Sequence, residues 1–191
     1  MGSFYTNITL RTSDSAGVVD ALRTGKRTAL VSQPQNGCVV VYDKESEDQD
    51  VEVLNRLASS LSTKLSCPAL AVLVHDDDVL IYTLHENGEL VDEYNSAPEY
   101  FASGEFGPSE GGDAERLARA FGGGDVAKAE AVLRAERAGD RDEGYVFESE
   151  RHYALTEALG IPMLAVSTGF NYIEAGELPE GAIESSFIRI G

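Results

Sequence analysis

The sequence has few basic residues, few cysteines and no long apolar run. Its 191 residues include 15 lysines and arginines against 33 aspartates and glutamates, for a formal net charge of −18, and only four of the basic residues are lysines. A surface this negative repels phosphate groups, which argues against nucleic-acid binding and against binding to anionic membranes. Two interpretations of the charge stay open: adaptation to a salty cytoplasm, and attraction to a basic protein partner.

Apolar segments long enough for a membrane are missing as well. No stretch of the sequence approaches the roughly 18 apolar residues needed to cross a bilayer, and the first residues do not combine a basic start with an apolar core. The two cysteines, Cys38 and Cys67, each stand beside a strand-like apolar run, which favours buried reduced thiols and leaves a disulfide as the alternative. The sequence therefore predicts a cytoplasmic protein.

What the sequence does contain is enough apolar residues for a core, 42% of the total, in short runs typical of strands and helices. Strand-like runs lie at 4–10, 27–32, 37–43, 69–75, 79–85 and 89–94. A helix is expected before Gly25, and a longer one after residues 46–49, which match a capping box. Its apolar residues recur at helical spacing, at Leu54, Leu57, Ala58, Leu61 and Leu65. The order β-α-β-β-α-β predicts an α+β fold, a ferredoxin-like antiparallel sheet extended by a hairpin, with two helices on one face.

The composition changes after residue 95. Residues 1–95 are predicted to form the sheet domain, and residues 96–112, rich in glycine, serine, proline and acids, a connecting loop. Residues 113–191 are predicted to be mostly helical and to dock on the sheet, as a separate part or within the same domain. Two apolar runs there, MLAV at 163–166 and SSFIRI at 185–190, are expected to be short strands that rejoin the sheet.

Residues 73–96, LVHDDDVLIYTLHENGELVDEYNS, concentrate two of the three histidines and seven acids. Turns at 76–78 and at Asn87-Gly88 divide this stretch into a three-stranded meander, because Asn-Gly between apolar runs is a strong hairpin signal. His75 and His85 then lie about 20 Å apart, too far to share one metal ion. The same pairing places Thr83 opposite Asp92, and Ile81 opposite Tyr94.

The acidic hairpin tip, formed by His75, Asp76, Asp77 and Asp78, is one candidate for a metal or acid-base site. It would need ligands from elsewhere in the chain, and a solvated turn explains the same residues, since aspartate tolerates turn conformations. Farther along, Asp140, Asp142 and Gly144 partly resemble a calcium loop, but the glycine is one place early. No motif for an organic cofactor is present, and none is predicted.

Aromatic and amide side chains form the other candidate site. They lie in two loop-like stretches and comprise Tyr94, Asn95, Tyr100, Phe101, Phe170, Asn171 and Tyr172. Amphipathic aromatics in loops are common at binding surfaces, and the alternative is that they fill the seam between the two parts of the chain.

These patterns favour a non-enzymatic function. The acidic charge and the aromatics are present while a converging set of catalytic residues is not, so the sequence predicts an immunity- or inhibitor-like binding module for a basic protein partner. The alternative is a metal-assisted hydrolase that uses His75 and Asp76–Asp78. Neither nucleic acid nor membrane is expected as a partner.

Overall fold

The computed structural model describes residues 2–137, 144–179 and 181–191. The strands are β1 Tyr5–Leu10, β2 Ala29–Ser32, β3 Val39–Asp43, β4 Ala69–His75, β5 Val79–Glu86, β6 Glu89–Asn95, β7 Glu110–Gly111 and β8 Phe187–Ile190. The α-helices are α1 Ser15–Thr24, α2 Val51–Leu65, α3 Tyr100–Ser103, α4 Ala114–Ala120, α5 Val126–Arg134, α6 Glu148–Leu159 and α7 Phe170–Glu174. Short 3₁₀ helices occupy Glu45–Asp48, Met163–Ala165 and Glu184–Ser186.

All described strands belong to one sheet of order β7-β6-β5-β4-β1-β3-β2-β8. Every neighbouring pair is antiparallel. The predicted α+β class is therefore confirmed. The sheet is more extended than a ferredoxin-like unit with a hairpin, because β7 adds to one edge and β8, the strand expected within residues 185–190, adds to the other.

Both faces of the sheet are covered by helices. The side chains of Ile8, Val39 and Val41 point to one face, where α1 and α2 add Leu22, Leu54, Leu57 and Leu61 to the core. Alternate residues of the same strands, such as Tyr5, Val40 and Tyr42, point to the other face and pack with Leu117, Leu133 and Leu155 of α4, α5 and α6. Side chains alternate between the two faces along a strand, and helices cover both faces, so all six residues of β1 are buried.

Helices α1, α2, α4 and α5 begin after aspartate caps. The carboxylates of Asp14, Asp113 and Asp125 accept hydrogen bonds from the first turns of α1, α4 and α5. The expected start of the long helix α2 at Ser46 is wrong, because Asp50 caps α2 and the Ser46 hydroxyl instead donates to the Asp43 carboxylate at 2.8 Å.

The hairpin of β5 and β6 has the expected turn but a shifted register. Asn87 and Gly88 both have positive φ values, 52° and 86°, as a two-residue hairpin turn of this kind requires. His85 faces Leu90 as predicted, but the next pair is Leu84 with Asp92, so Val91 is an extra, bulged residue. The predicted pairs past this point are wrong: Ile81 faces Asn95, and Thr83 faces Glu93.

The expected strand at MLAV is also wrong. Met163–Ala165 forms a 3₁₀ helix after Pro162, whereas the predicted strand near the C-terminus is confirmed as β8, which pairs with β2. Among the described residues, no helix combines the length and apolar character needed to cross a membrane.

Candidate functional site

The hairpin tip between β4 and β5 is tied into the fold by its backbone and its carboxylates. Asp76 and Asp77 adopt left-handed φ values of 53° and 55°, and the amide of Asp78 donates to the carbonyl of His75 at 2.9 Å. Aspartate tolerates this region better than most side chains. The turn therefore exists as predicted, but it is not an isolated solvated loop.

Asp77 joins three parts of the chain. Its carboxylate accepts the backbone N–H of Ser3 at 3.0 Å and that of Ser149 at 3.2 Å, and its carbonyl accepts the N–H of Glu148 at 3.0 Å. Ser149 lies in the first turn of α6, so Asp77 satisfies otherwise unpaired amides at a helix N-terminus. Burial opposes ionisation of Asp77, but the hydrogen bonds from Ser149 and Ser3 outweigh it and lower the pKa of this carboxyl.

The other two aspartates are also engaged. Asp78 forms an ion pair with Arg137, and its other oxygen accepts the Tyr100 hydroxyl at 3.0 Å. This hydrogen bond with Asp78 is the main cause that raises the pKa of Tyr100. The Asp76 carboxylate accepts the backbone N–H of Gly2 at 3.0 Å. Each tip carboxylate thus has a partner within the chain.

His75 is the centre of an aromatic cluster. Its ring centroid lies 4.9 Å from that of Phe4, 5.2 Å from Phe101 and 6.1 Å from Tyr100, all in edge-on arrangements. Tyr100 in turn contacts Phe106 at 5.4 Å. We call these five residues the tip surface. The rings around His75 meet in the edge-to-face geometry that aromatic side chains prefer, and the Tyr100–Phe106 pair is tilted by 46°.

Neighbouring groups fix the edges of the tip surface. His75 Nδ1 donates to Gln49 Oε1 at 3.2 Å, and the guanidinium of Arg137 lies 4.0 Å from the centre of the Phe106 ring. The N–H of Phe4 donates to the Tyr172 hydroxyl at 3.2 Å. Despite these contacts the phenyl rings stay open to solvent, with Phe4 39%, Phe101 59% and Phe106 45% exposed.

The predicted aromatic residues therefore separate into different places. Tyr100 and Phe101 belong to the tip surface and Tyr172 borders it, whereas Tyr94 and Phe170 are buried in the core. Tyr94 stacks on Tyr82 and donates to the carbonyl of Leu133, as expected of a buried tyrosine.

The two predicted asparagines form hydrogen bonds within the chain. The Asn95 side chain accepts the N–H of Ala97 at 2.9 Å, and the backbone N–H of Asn171 donates to the Glu47 carboxylate at 3.4 Å. Sequence reasoning missed Phe4 and Phe106. Phe4 begins a strand-like run beside Tyr5, and Phe106 is a single aromatic residue in a polar segment, so only the tertiary structure brings them into one cluster with His75.

A cavity of about 720 Å³ opens beside the tip surface. Phe106, Arg137, Ser96, Glu148 and Arg151 are among the residues that line it. Glu148 and Arg151 are both buried and form an ion pair at 2.8 Å. Burial raises the pKa of Glu148, and the charge of Arg151 opposes that rise. These charged groups have partners inside the protein, so they support the fold around the cavity.

The tip residues form no metal site with the other residues that the structure describes. In the part of the chain that the structure describes, no three His, Cys, Asp or Glu side chains are placed to hold one ion. His85 is buried beneath α2 with Ala69 as its strand partner, and His152 is buried against Tyr5. The partial calcium loop cannot be placed, because Asp140 and Asp142 lie outside the described residues.

Replacing Asp77 with glycine tests the structural role of the tip. Glycine keeps the positive φ and removes the carboxylate, and with it the cap on Ser149 of α6 and the hydrogen bond from Ser3. We therefore expect the free energy of unfolding to fall by about 1–3 kcal/mol. Because the folded pKa of Asp77 is lowered, its contribution is present above its unfolded pKa of about 4 and is lost as the pH falls through the folded pKa.

The matched control for this substitution is Asp76→Gly, which has the same backbone conformation and a carboxylate bonded to Gly2. Urea denaturation of both variants, at neutral pH and near pH 3, measures the difference. If Asp77→Gly is no more destabilising than Asp76→Gly at neutral pH, Asp77 does not anchor α6.

Comparison of the chain with protein-family models, with curated proteins and with solved structures gives no match.

Proposed function

We propose that the chain is a non-enzymatic binding protein, an immunity- or inhibitor-like module, that binds a basic protein partner through the tip surface. The observation that carries this proposal is the exposure of Phe4, Phe101 and Phe106 in one contiguous cluster around His75. Exposed apolar residues that stand singly need no explanation, but a contiguous aromatic patch is typical of interaction sites.

The charge around the tip surface supports a basic partner. Glu99 and Glu105 flank the α3 segment in sequence, both are exposed, and Asp76 lies in the tip itself. Lysine and arginine side chains bind both to carboxylates and to the faces of aromatic rings, as Arg137 does on Phe106. A net charge of −18 would speed the approach of a basic partner, and salt would weaken the attraction.

The described tip supports binding better than catalysis. A general base or a metal ligand needs an acceptor that is free to meet a proton or an ion, and Asp77 and Asp78 already hold Ser149 and Arg137 in place. Using them in a reaction would release the start of α6 and the Arg137 contact.

We also propose a ferredoxin-like unit within the sheet and a cytoplasmic location for the chain. The order β4-β1-β3-β2, with α1 and α2 on one face, supports a ferredoxin-like unit in the middle of the larger sheet. The buried free thiols of Cys38 and Cys67 support a reducing compartment such as the cytoplasm.

The test begins with recovery of the partner. The purified chain is used as bait in an extract of its own cells at low salt, and captured proteins are identified by mass spectrometry. The best candidate is then purified, and its dissociation constant is measured by calorimetry with wild type and with the Phe101→Ala/Phe106→Ala variant. We expect a basic partner, and binding weaker by about 30-fold or more in the variant, since buried aromatic anchors dominate interface energies.

The control variant removes exposed apolar side chains elsewhere. Tyr153→Ala/Ile183→Ala deletes residues that are 52% and 64% exposed and lie outside the tip surface. Its affinity should stay within about twofold of wild type, since substitutions outside an interface remove no contact with the partner. Equal losses in both double variants, or a partner with an acidic surface, would contradict the proposal.

A further inference from the structure

A second surface feature lies beside the tip surface, on the sheet face that α1 and α2 share. Helix α2 packs against β4 and β5, and a groove of about 410 Å³ follows between α2 and the edge strands β6 and β7. Val51, Ile81 and Pro98 give part of it an apolar lining, beside polar side chains that include Asn55, Thr83 and Asn95. The groove is open space where the layer of helices ends.

Two carboxylates lie in this groove. Glu93 and Glu110 both line it and both are exposed. Asn95 faces Glu110 across the β6–β7 pair, and Glu93 stands two residues before Asn95 on the same side of β6, so the two glutamates are diagonal neighbours. Two like charges at this spacing repel each other unless a cation lies between them.

The chain itself does not supply that cation among the described residues. The ion pairs found in residues 2–137, 144–179 and 181–191 do not include Glu93 or Glu110. Arg56 of α2 pairs with Glu52 at 3.5 Å. The groove therefore combines an apolar lining with uncompensated negative charge, which suits a side chain with an apolar stem and a cationic end.

Two of the residues that line the groove stand close in the chain to the tip surface and its neighbours. Pro98 lines the groove and stands two residues before Tyr100, and Val51 lines it two residues after Gln49, which holds His75. A partner segment that covers His75 and Phe101 can thus extend along α2 into the groove.

We propose that the groove receives a lysine or arginine side chain from the basic partner that the tip surface binds. This inference rests on the proposed function and adds a specific basic contact to it. The stem of the cationic side chain lies over Ile81 and Pro98, and its charge meets the carboxylates of Glu93 and Glu110.

The probe is a synthetic Arg-Gly-Ser repeat peptide of about twelve residues, with a neutral peptide that has citrulline for arginine as its control. Titration into the isotopically labelled chain is followed by backbone amide shifts at low ionic strength. We expect the largest shifts at residues 51–55, 81–83, 93–98 and 110–111, with the arginine peptide alone. Shifts that cluster elsewhere, or no binding of the arginine peptide, would overturn the inference.

Paired variants test the role of the two glutamates. Glu93→Gln/Glu110→Gln should weaken peptide binding about fivefold, because each partly exposed ion pair contributes little by itself. Glu177→Gln/Glu184→Gln removes two exposed carboxylates that do not line the groove and changes the net charge equally, so it should leave binding within about twofold. Equal weakening by both pairs would show a nonspecific attraction and contradict the groove assignment.

The two proposals fail in distinguishable ways. If the Phe101→Ala/Phe106→Ala variant keeps its affinity for the isolated partner, the proposed function fails. If that variant loses affinity while Glu93→Gln/Glu110→Gln binds partner and peptide as wild type does, only the groove assignment fails.

Discussion

Replacing Arg151 with alanine is expected to lower the free energy of unfolding by about 3–5 kcal/mol, as the removal of one partner of a buried ion pair does. Arg151 is 1% exposed and Glu148 2% exposed, so neither charge is solvated by water in the folded state. Without the guanidinium, the Glu148 carboxylate must bind a proton or stay charged in a buried site. Either outcome costs stability.

Arg151 also completes the end of α5. Its Nη1 donates to the carbonyls of Val132 at 2.7 Å and Ala135 at 2.8 Å, groups that a helix C-terminus leaves without a partner. Its guanidinium lies 4.9 Å from the centre of the Tyr145 ring. The substitution therefore removes a cap and a packing contact together with the ion pair.

A double-mutant cycle separates these contributions. Urea denaturation of Arg151→Ala, Glu148→Gln and the double variant should give a double-variant loss smaller than the sum of the single losses, because the stranded carboxylate is gone. Arg56→Ala, whose ion pair is exposed, is the control and should lose less than about 1 kcal/mol. A loss below that value for Arg151→Ala would show that neither its buried ion pair with Glu148 nor its hydrogen bonds to the end of α5 stabilise the fold.

Acidification should destabilise the protein through His152. The imidazole is buried, its Nδ1 lies 2.9 Å from the Tyr5 hydroxyl, and burial lowers its pKa to about 4. In the unfolded chain the pKa of histidine is about 6.5, so as the pH falls the unfolded state binds a proton first. Stability that is present above pH 6.5 is then lost progressively down to the folded pKa, by about 3 kcal/mol in total.

The variant that isolates this effect is His152→Gln, which keeps an acceptor for the Tyr5 hydroxyl and cannot be protonated in this range. Unfolding free energies measured from about pH 7 to pH 4 should fall more steeply for wild type than for the variant. His85 is also buried, with a pKa that burial lowers, and it contributes equally to both proteins. Parallel curves for wild type and His152→Gln would contradict the prediction.

The sequence predicts the parts of the fold that depend on local patterns. The leucine repeat from Leu54 to Leu65 forms α2, and the Asn87-Gly88 turn forms the hairpin, because helical spacing and positive φ are local requirements. The register beyond Val91 could not be predicted, because a single bulged residue shifts all later pairs by one. MLAV is short enough that apolar character alone does not distinguish a strand from a 3₁₀ turn.

The candidate site could be predicted only in part, because it is assembled from distant segments. Composition selects Tyr100 and Phe101 as candidate binding residues, but the same reasoning selects Tyr94 and Phe170, which are buried. The acids at 76–78 suggested metal chemistry because the sequence does not show that Ser149 and Arg137 meet them. Contacts between residues more than 50 positions apart decide which acidic side chains have a partner within the chain.

The central claim is that the tip surface binds a basic protein. The most direct measurement is the ratio of the dissociation constants of Phe101→Ala/Phe106→Ala and Tyr153→Ala/Ile183→Ala for the purified partner. The account predicts a ratio of about 30 or more, with affinities that fall as salt is added. A ratio near one would contradict it, since the exposed aromatics around His75 would then contribute no more to binding than exposed apolar residues elsewhere.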